Sequence, residues 1–198
     1  MLTKNQFKIM ELFVSNLTKR FGIREVARLL DMNNSLAHRN IAPLVEKRIL
    51  VKDDKGYLAV DFRKNHDLLS FTEYERRNKF LEKNKTLSLM LDDIIEEFPY
   101  GYFVALIFGS TVTNPKPRDI DLLIIIEKTE DIEKAEKYLY NITRNYTLPI
   151  HSLVISFESA YEMLAPREDK NVMTEVLNKH LVLYGAELFY KLIKKGRQ

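Results

Sequence analysis

Apolar residues recur early in the chain at Phe7, Ile9, Met10, Leu12, Phe13 and Leu17, the spacing of one buried helix face, with Thr3 placed as an N-cap. Gly22 breaks this pattern, and residues 23–30 predict a short second helix. The run Asp31-Met32-Asn33-Asn34-Ser35 supplies turn and cap formers. A third helix is expected from about residue 36 to 47, with Ile41, Leu44 and Val45 inward and Pro43 imposing a bend or a loose turn. The period then falls to two. Residues 49–52 and 57–60 flank Asp53-Asp54-Lys55-Gly56, the pattern of a β-hairpin with a polar, glycine-bearing tip. Residues 66 to about 98 read as helical again: a charged connecting helix over 66–85, then a stripe of Leu87, Leu91, Ile94, Ile95 and Phe98. No Gly/Ser/Pro-rich linker intervenes, so helix packing is expected to join the two halves.

The second half opens differently. Residues 103–110 form an apolar run ending in Gly109-Ser110, followed by a loop with two prolines. Asp119-Ile120-Asp121 then leads into a second apolar run, the pattern of two buried strands. Side chains alternate along a strand, so Asp119 and Asp121 share a face while Ile120 points to the core. Two adjacent carboxylates repel, and a hard divalent cation such as Mg²⁺ or Mn²⁺ reverses the sign of that interaction. Gly109 lets the backbone approach a phosphate, and the Ser110 hydroxyl with nearby N–H groups can hold its oxygens.

Composition narrows the reading. Apolar residues make up 45% of the 198, enough to bury a core, and no run approaches the roughly 18 apolar residues of a membrane helix. The start lacks the apolar core of a signal peptide, and without cysteine there are no disulfides or thiolate metal sites, so a cytoplasmic protein is expected. Abundant Lys and Glu without Cys or Trp lean weakly towards a heat-adapted source. Residues 1–85 carry 18 Lys and Arg against 11 Asp and Glu, whereas the remainder carries 13 against 17. A basic half facing a polyanion and an acidic half holding cations would produce that split.

Helix, helix, turn, helix, hairpin over residues 1–65 resembles a winged helix-turn-helix. The resemblance implies a third helix lying in the major groove of double-stranded DNA, with Asn34, Ser35, His38 and Arg39 as candidate base readers. Lys52 and Lys55 on the wing, with Lys19, Arg20, Lys47 and Arg48 around it, are candidate phosphate contacts. Docking to a protein is the alternative use of such a module. A homodimer reading paired half-sites also fits the resemblance. Tyr74, Arg76 and Arg77 either extend the basic surface or form a solvated helix face.

The strand, Gly-Ser, loop and Asp-apolar-Asp series resembles the DNA polymerase β-type nucleotidyltransferase superfamily, and within it the minimal nucleotidyltransferases of archaea and bacteria. The resemblance implies an α+β fold with a mixed sheet and flanking helices over residues 86–198, binding ATP or another nucleoside triphosphate. Gly109 and Ser110 would take the triphosphate, and Asp119 and Asp121 the metal ions that align an acceptor with the α-phosphate. It further implies a helix over 131–143, a third strand over 148–155 and a closing helix in the tail from residue 178, with His180 a structural residue within it. Tyr184-Gly185 reads as a closely packed bend. Two departures stand out. The loop over 111–118 is short and lacks an arginine after Ser110, and the place of the usual third carboxylate falls to His151, or to Ser152 one register away. Histidine can take a proton or bind a metal. Two functions therefore stay open: a transferase using His151, or a regulator whose second domain senses nucleotide or docks a protein without turnover. Arg167, Lys170 and Lys179 are basic residues that could approach a nucleotide, which their spacing does not establish.

Overall fold

The computed structural model describes residues 2–114, 118–165 and 170–197, and the side chain of Thr113 is outside the described set. It is a mixed α+β structure. Three helices come first: α1 (Lys4–Val14), α2 (Ile23–Leu29) and α3 (Asn34–Glu46). Thr3 caps α1 in a reciprocal capping box with Gln6. α3 starts two residues earlier than its apolar pattern suggests, because the Asn33 side chain accepts the Leu36 N–H and caps the helix there. It also runs through Pro43 as one α-helix. Proline withholds one N–H from the ladder, and the burial of Ala37, Ile41 and Leu44 on a single face offsets that loss. A two-stranded antiparallel hairpin, β1 (Leu50–Lys52) and β2 (Leu58–Val60), follows as expected.

Two long helices lead into the second half: α4 (His66–Lys83) and α5 (Lys85–Glu97), separated at Asn84. Then come β3 (Phe103–Phe108), the single turn α6 (Ser110–Thr113) and β4 (Ile120–Ile126). These are followed by α7 (Ile132–Thr143), β5 (Ile150–Ser156), α8 (Phe157–Leu164) and α9 (Val172–Val176), and the chain closes with β6 (His180–Tyr184) and α10 (Ala186–Gly196). The four strands lie in the order β5-β4-β3-β6, with β3 antiparallel to both neighbours and β4 parallel to β5. Among the described residues no helix is long and apolar enough to cross a membrane.

The tail corrects one expectation. Residues 180–184 form an edge strand instead of the start of a helix, so His180 belongs to the sheet. The break is Gly185, at φ +75°, where an added Cβ would lie 2.4 Å from the Phe103 carbonyl oxygen. Only glycine fits both that backbone angle and that approach, and the Tyr184 ring stacks on Phe103 beside it.

Each sheet face has its own core. Ala105, Ile107, Leu122 and Ile124 pack against α5 and α7. Val104, Leu106, Leu123 and Ile125 pack under α8, α9 and α10, and this core continues without a break into Ile9, Phe13, Leu44 and Leu69 of the helical half. Polar contacts reinforce the join. The Leu17 N–H donates to the Leu177 carbonyl at 2.8 Å, and the Thr18 hydroxyl donates to Asn178 Oδ1 at 2.7 Å. α4 fastens the β6 edge: Arg76 donates to the His180 carbonyl at 2.8 Å and Arg77 to the Leu183 carbonyl at 3.0 Å. These arginines cap strand carbonyls and so do not extend a solvated basic face.

Below them lies a buried polar cluster. Glu73 is fully buried and accepts from Arg76 at 2.7 Å and from the Tyr190 hydroxyl at 3.2 Å, with His180 Nε2 also 3.2 Å away. Burial pushes the Glu73 carboxyl up, but the charge of Arg76 and its contacts with His180 and Tyr190 outweigh that and hold it below its ordinary value. Burial, with the nearby Glu73 charge, pushes the Tyr190 hydroxyl well up.

Candidate functional site

The pairing of three strands gathers the sequence-selected acids. Asp121 lies opposite Phe108 on β3 and opposite His151 on β5. Directly paired residues present their side chains on one face, so His151 and Asp121 share a face. Ser152 pairs with Leu122 and points the other way, which selects His151 between the two registers. His151 Nδ1 stands 3.8 Å from Asp119 Oδ2 and 3.9 Å from Asp121 Oδ1. The three side chains are 40%, 32% and 68% exposed for Asp119, Asp121 and His151, so the group opens to solvent at one end of the sheet.

Gly109 ends β3 at φ +66°, with its N–H donating to the Lys179 carbonyl at 3.1 Å. Ser110 begins the turn α6 immediately after it. The next residue, Thr111, is buried and works as a clasp. Its hydroxyl donates to the Asp119 carbonyl at 3.2 Å and accepts the Asp121 N–H at 3.4 Å, tying the two ends of the loop together. Pro115, Lys116 and Pro117 of that loop, and Arg167 further on, lie outside the described residues.

Sequence reasoning missed one acid altogether. A Cβ on Gly109 would lie 3.0 Å from Asp121 Oδ2 and 3.3 Å from Glu175 Oε1. Two carboxylates therefore converge on the space that this glycine leaves empty. Glu175 sits on α9, a five-residue helix whose only sequence signal is its Asn171–Thr174 capping box. Lys179 enters the site through its backbone carbonyl. Lys170 borders a cleft that Glu175 also lines.

Asp119, Asp121 and Glu175 place three carboxylates at one open sheet end. Among the described residues no group of three or more acidic, imidazole or thiol side chains is placed to hold a metal ion. The donor set is open and oxygen-rich, which suits a hard cation that completes its shell with water and phosphate oxygens. Asp119 and Asp121 supply oxygen donors of the kind that a Mg²⁺ or Mn²⁺ ion takes.

The second candidate surface lies on the helical half. Asn34, Ser35, His38 and Arg39 are all exposed on the first turns of α3, and Lys52 and Lys55 are exposed on the hairpin. Lys19, Lys47 and Arg48 are exposed as well. Arg20 departs from this group because it forms an ion pair with Asp53 at 2.7 Å. Asp53 also accepts the N–H groups of Tyr57 and Lys55 in a turn that shapes the hairpin tip. The Tyr57 N–H, then Arg20, hold its carboxyl below the ordinary value.

No protein-family model, curated protein or solved structure matches the chain.

Proposed function

We propose that the chain couples a winged helix-turn-helix reader of double-stranded DNA, residues 1–65, through the helical stretch 66–85 to a nucleotidyltransferase-like domain, residues 86–198. The second domain takes ATP or another nucleoside triphosphate with Mg²⁺ or Mn²⁺ and passes the nucleoside monophosphate to an acceptor. The observation that carries this reading is the row Phe108–Asp121–His151, which places a Gly-Ser turn, two aspartates and an imidazole at one end of one sheet.

Gly109 and Ser110 accommodate triphosphate oxygens through the turn backbone and the Ser110 hydroxyl. Asp119 and Asp121 would hold the cation, which when bound would neutralise charge on the phosphates. His151 takes the proton from the acceptor O–H as its oxygen forms a bond to the α-phosphorus. The bond from that phosphorus to the bridging oxygen breaks, and pyrophosphate leaves. The thermal shift given by ATP with Mg²⁺ tests binding, and pyrophosphate release in the presence of cell lysate tests transfer. The expected results are a rise in melting temperature that the Asp119→Asn/Asp121→Asn variant loses, and a rate that His151→Ala lowers by about a hundred- to ten-thousandfold. An equal thermal shift in the double variant would place the ligand elsewhere.

A second reading is a DNA-binding regulator that senses nucleotide without turnover. It is favoured by a specific feature, the imidazole of His151 where the β5 partner of Asp121 would otherwise be an acid. It shares the thermal shift but expects no pyrophosphate from any lysate.

A further inference from the structure

We propose that the second half of the chain also grips DNA: the end of α10 joins Arg48, Arg63 and Lys64 in one basic strip that holds the phosphate backbone of a duplex beyond the stretch read by α3. The inference rests on the DNA-reading half of the function proposed above and extends its contact surface. Two side-chain bonds bring the strip together. Asn65 Nδ2 donates to the Arg48 carbonyl at 3.1 Å, just past the end of α3, and Arg63 Nη2 donates to the Arg197 carbonyl at 2.9 Å. Lys194 and Lys195 stand in the last turn of α10, next to Arg197. That turn sits close on α8, since a Cβ added to Gly196 would lie 2.8 Å from Leu164 Cβ. Lys195 Nζ lies 4.7 Å from the centre of the Tyr161 ring, also on α8.

Arg48, Arg63, Lys64, Lys194 and Lys195 are exposed, and Arg197 is half-buried. Among the described residues none of the six forms an ion pair. The acids within three positions of them along the chain are Glu46, Asp61 and Asp67, so cations are in excess. Helix ends account for only part of this. A helix C-terminus favours cations, which explains Lys194 and Lys195. Arg63 and Lys64 stand directly before Asn65, the N-cap of α4, where the positive end of the helix disfavours them. An anionic partner offsets that cost. The surface also selects the partner. None of the exposed large apolar side chains lies within residues 46–48, 61–67 or 191–197. A membrane surface needs apolar side chains to insert, a single strand needs open aromatic faces, and a protein partner needs an apolar centre. Contact with the phosphates of a duplex needs cations alone.

The test is fluorescence-anisotropy binding of the full-length protein to a DNA duplex of about three helical turns across a range of KCl concentrations. Lys64→Gln should make the slope of log affinity against log salt shallower by about one, and Lys194→Gln/Lys195→Gln by about two. Neither should change the preference between duplex sequences. Lys64→Gln should melt no lower than wild type, because it takes a cation away from the N-terminal end of α4. It therefore decides the matter even where the double variant folds poorly. Slopes equal to wild type in both variants, with Lys52→Ala/Lys55→Ala still flattening the slope, overturn the strip and leave the DNA reader standing. A lower melting temperature of Lys64→Gln makes that lysine structural and overturns the inference too. Wild-type protein that prefers the single strand, or that sediments with phosphatidylglycerol vesicles where Lys64→Gln does not, assigns the strip to another partner and overturns it. Wild-type protein that binds no duplex at low salt removes both this inference and the reader beneath it.

Discussion

Glu73→Gln is the substitution whose cost follows most directly from the structure. The wild-type carboxylate is fully buried and serves Arg76, Tyr190 and His180 together. Glutamine keeps the shape and the oxygen that faces Tyr190, but it offers an amide N–H₂ to a guanidinium that needs an acceptor. The Arg76 side chain is only 10% exposed, so water cannot take over as counter-charge. Removing one partner of a buried pair leaves the other uncompensated and costs about 3–5 kcal/mol. A domain has roughly 5–15 kcal/mol of stability in all, so the loss is a large fraction of the whole. Urea unfolding at neutral pH measures it as a lower midpoint at unchanged slope. The pH dependence has a fixed sign. The folded-state carboxyl of Glu73 is held below its ordinary value of 4.5, so its contribution is complete above about that pH and is lost as the pH falls through the lower folded value. The variant has nothing to titrate at position 73. The gap between variant and wild type should narrow in acid. A loss under about 1 kcal/mol, the scale of an exposed ion pair, or a gap independent of pH would refute this account of the cluster.

Gly185→Ala should destabilise by about 2–4 kcal/mol, from a left-handed backbone angle and a Cβ pressed against the Phe103 carbonyl, read as a fall in melting temperature; a change under about 0.5 kcal/mol would deny the close approach. On duplex DNA, Arg39→Ala and His38→Ala should erode sequence preference, whereas Lys52→Ala and Lys55→Ala should weaken binding to every duplex and flatten its salt dependence. Full-length protein that fails to shift any duplex at low salt would leave the helical half as a protein-docking module.

The elements that announce themselves in the sequence are those with one wet face. α1 and α3 show a helical stripe because their other side meets solvent, and the hairpin tip shows because Gly56 adopts φ +86° between two short strands. β6 hides for the opposite reason. Four of its five residues are buried, covered by α4 and α10, so no alternation survives to separate strand from helix. The same holds for the site. Asp119 and Asp121 are legible because strand alternation puts both on one face, and His151 follows once β5 is set parallel to β4. Glu175 and the Thr111 clasp are not legible. Glu175 approaches Gly109 from a segment distant along the chain, the clasp closes a short loop through one hydroxyl, and neither residue type is unusual in its local setting.

The seam between residues 17–18 and 177–178 has a thermodynamic consequence. The change in charge balance near residue 85 invites a cut there, but a fragment ending at that point would lose α10 and β6, both packed on α4, and with them part of the core that the two halves share. Such a fragment is an aggregation hazard and no substitute for the intact chain. In a scanning calorimeter the whole chain should absorb heat in one peak, with calorimetric and van't Hoff enthalpies equal. A ligand at either end then displaces that single peak, because the melting of one end is the melting of both.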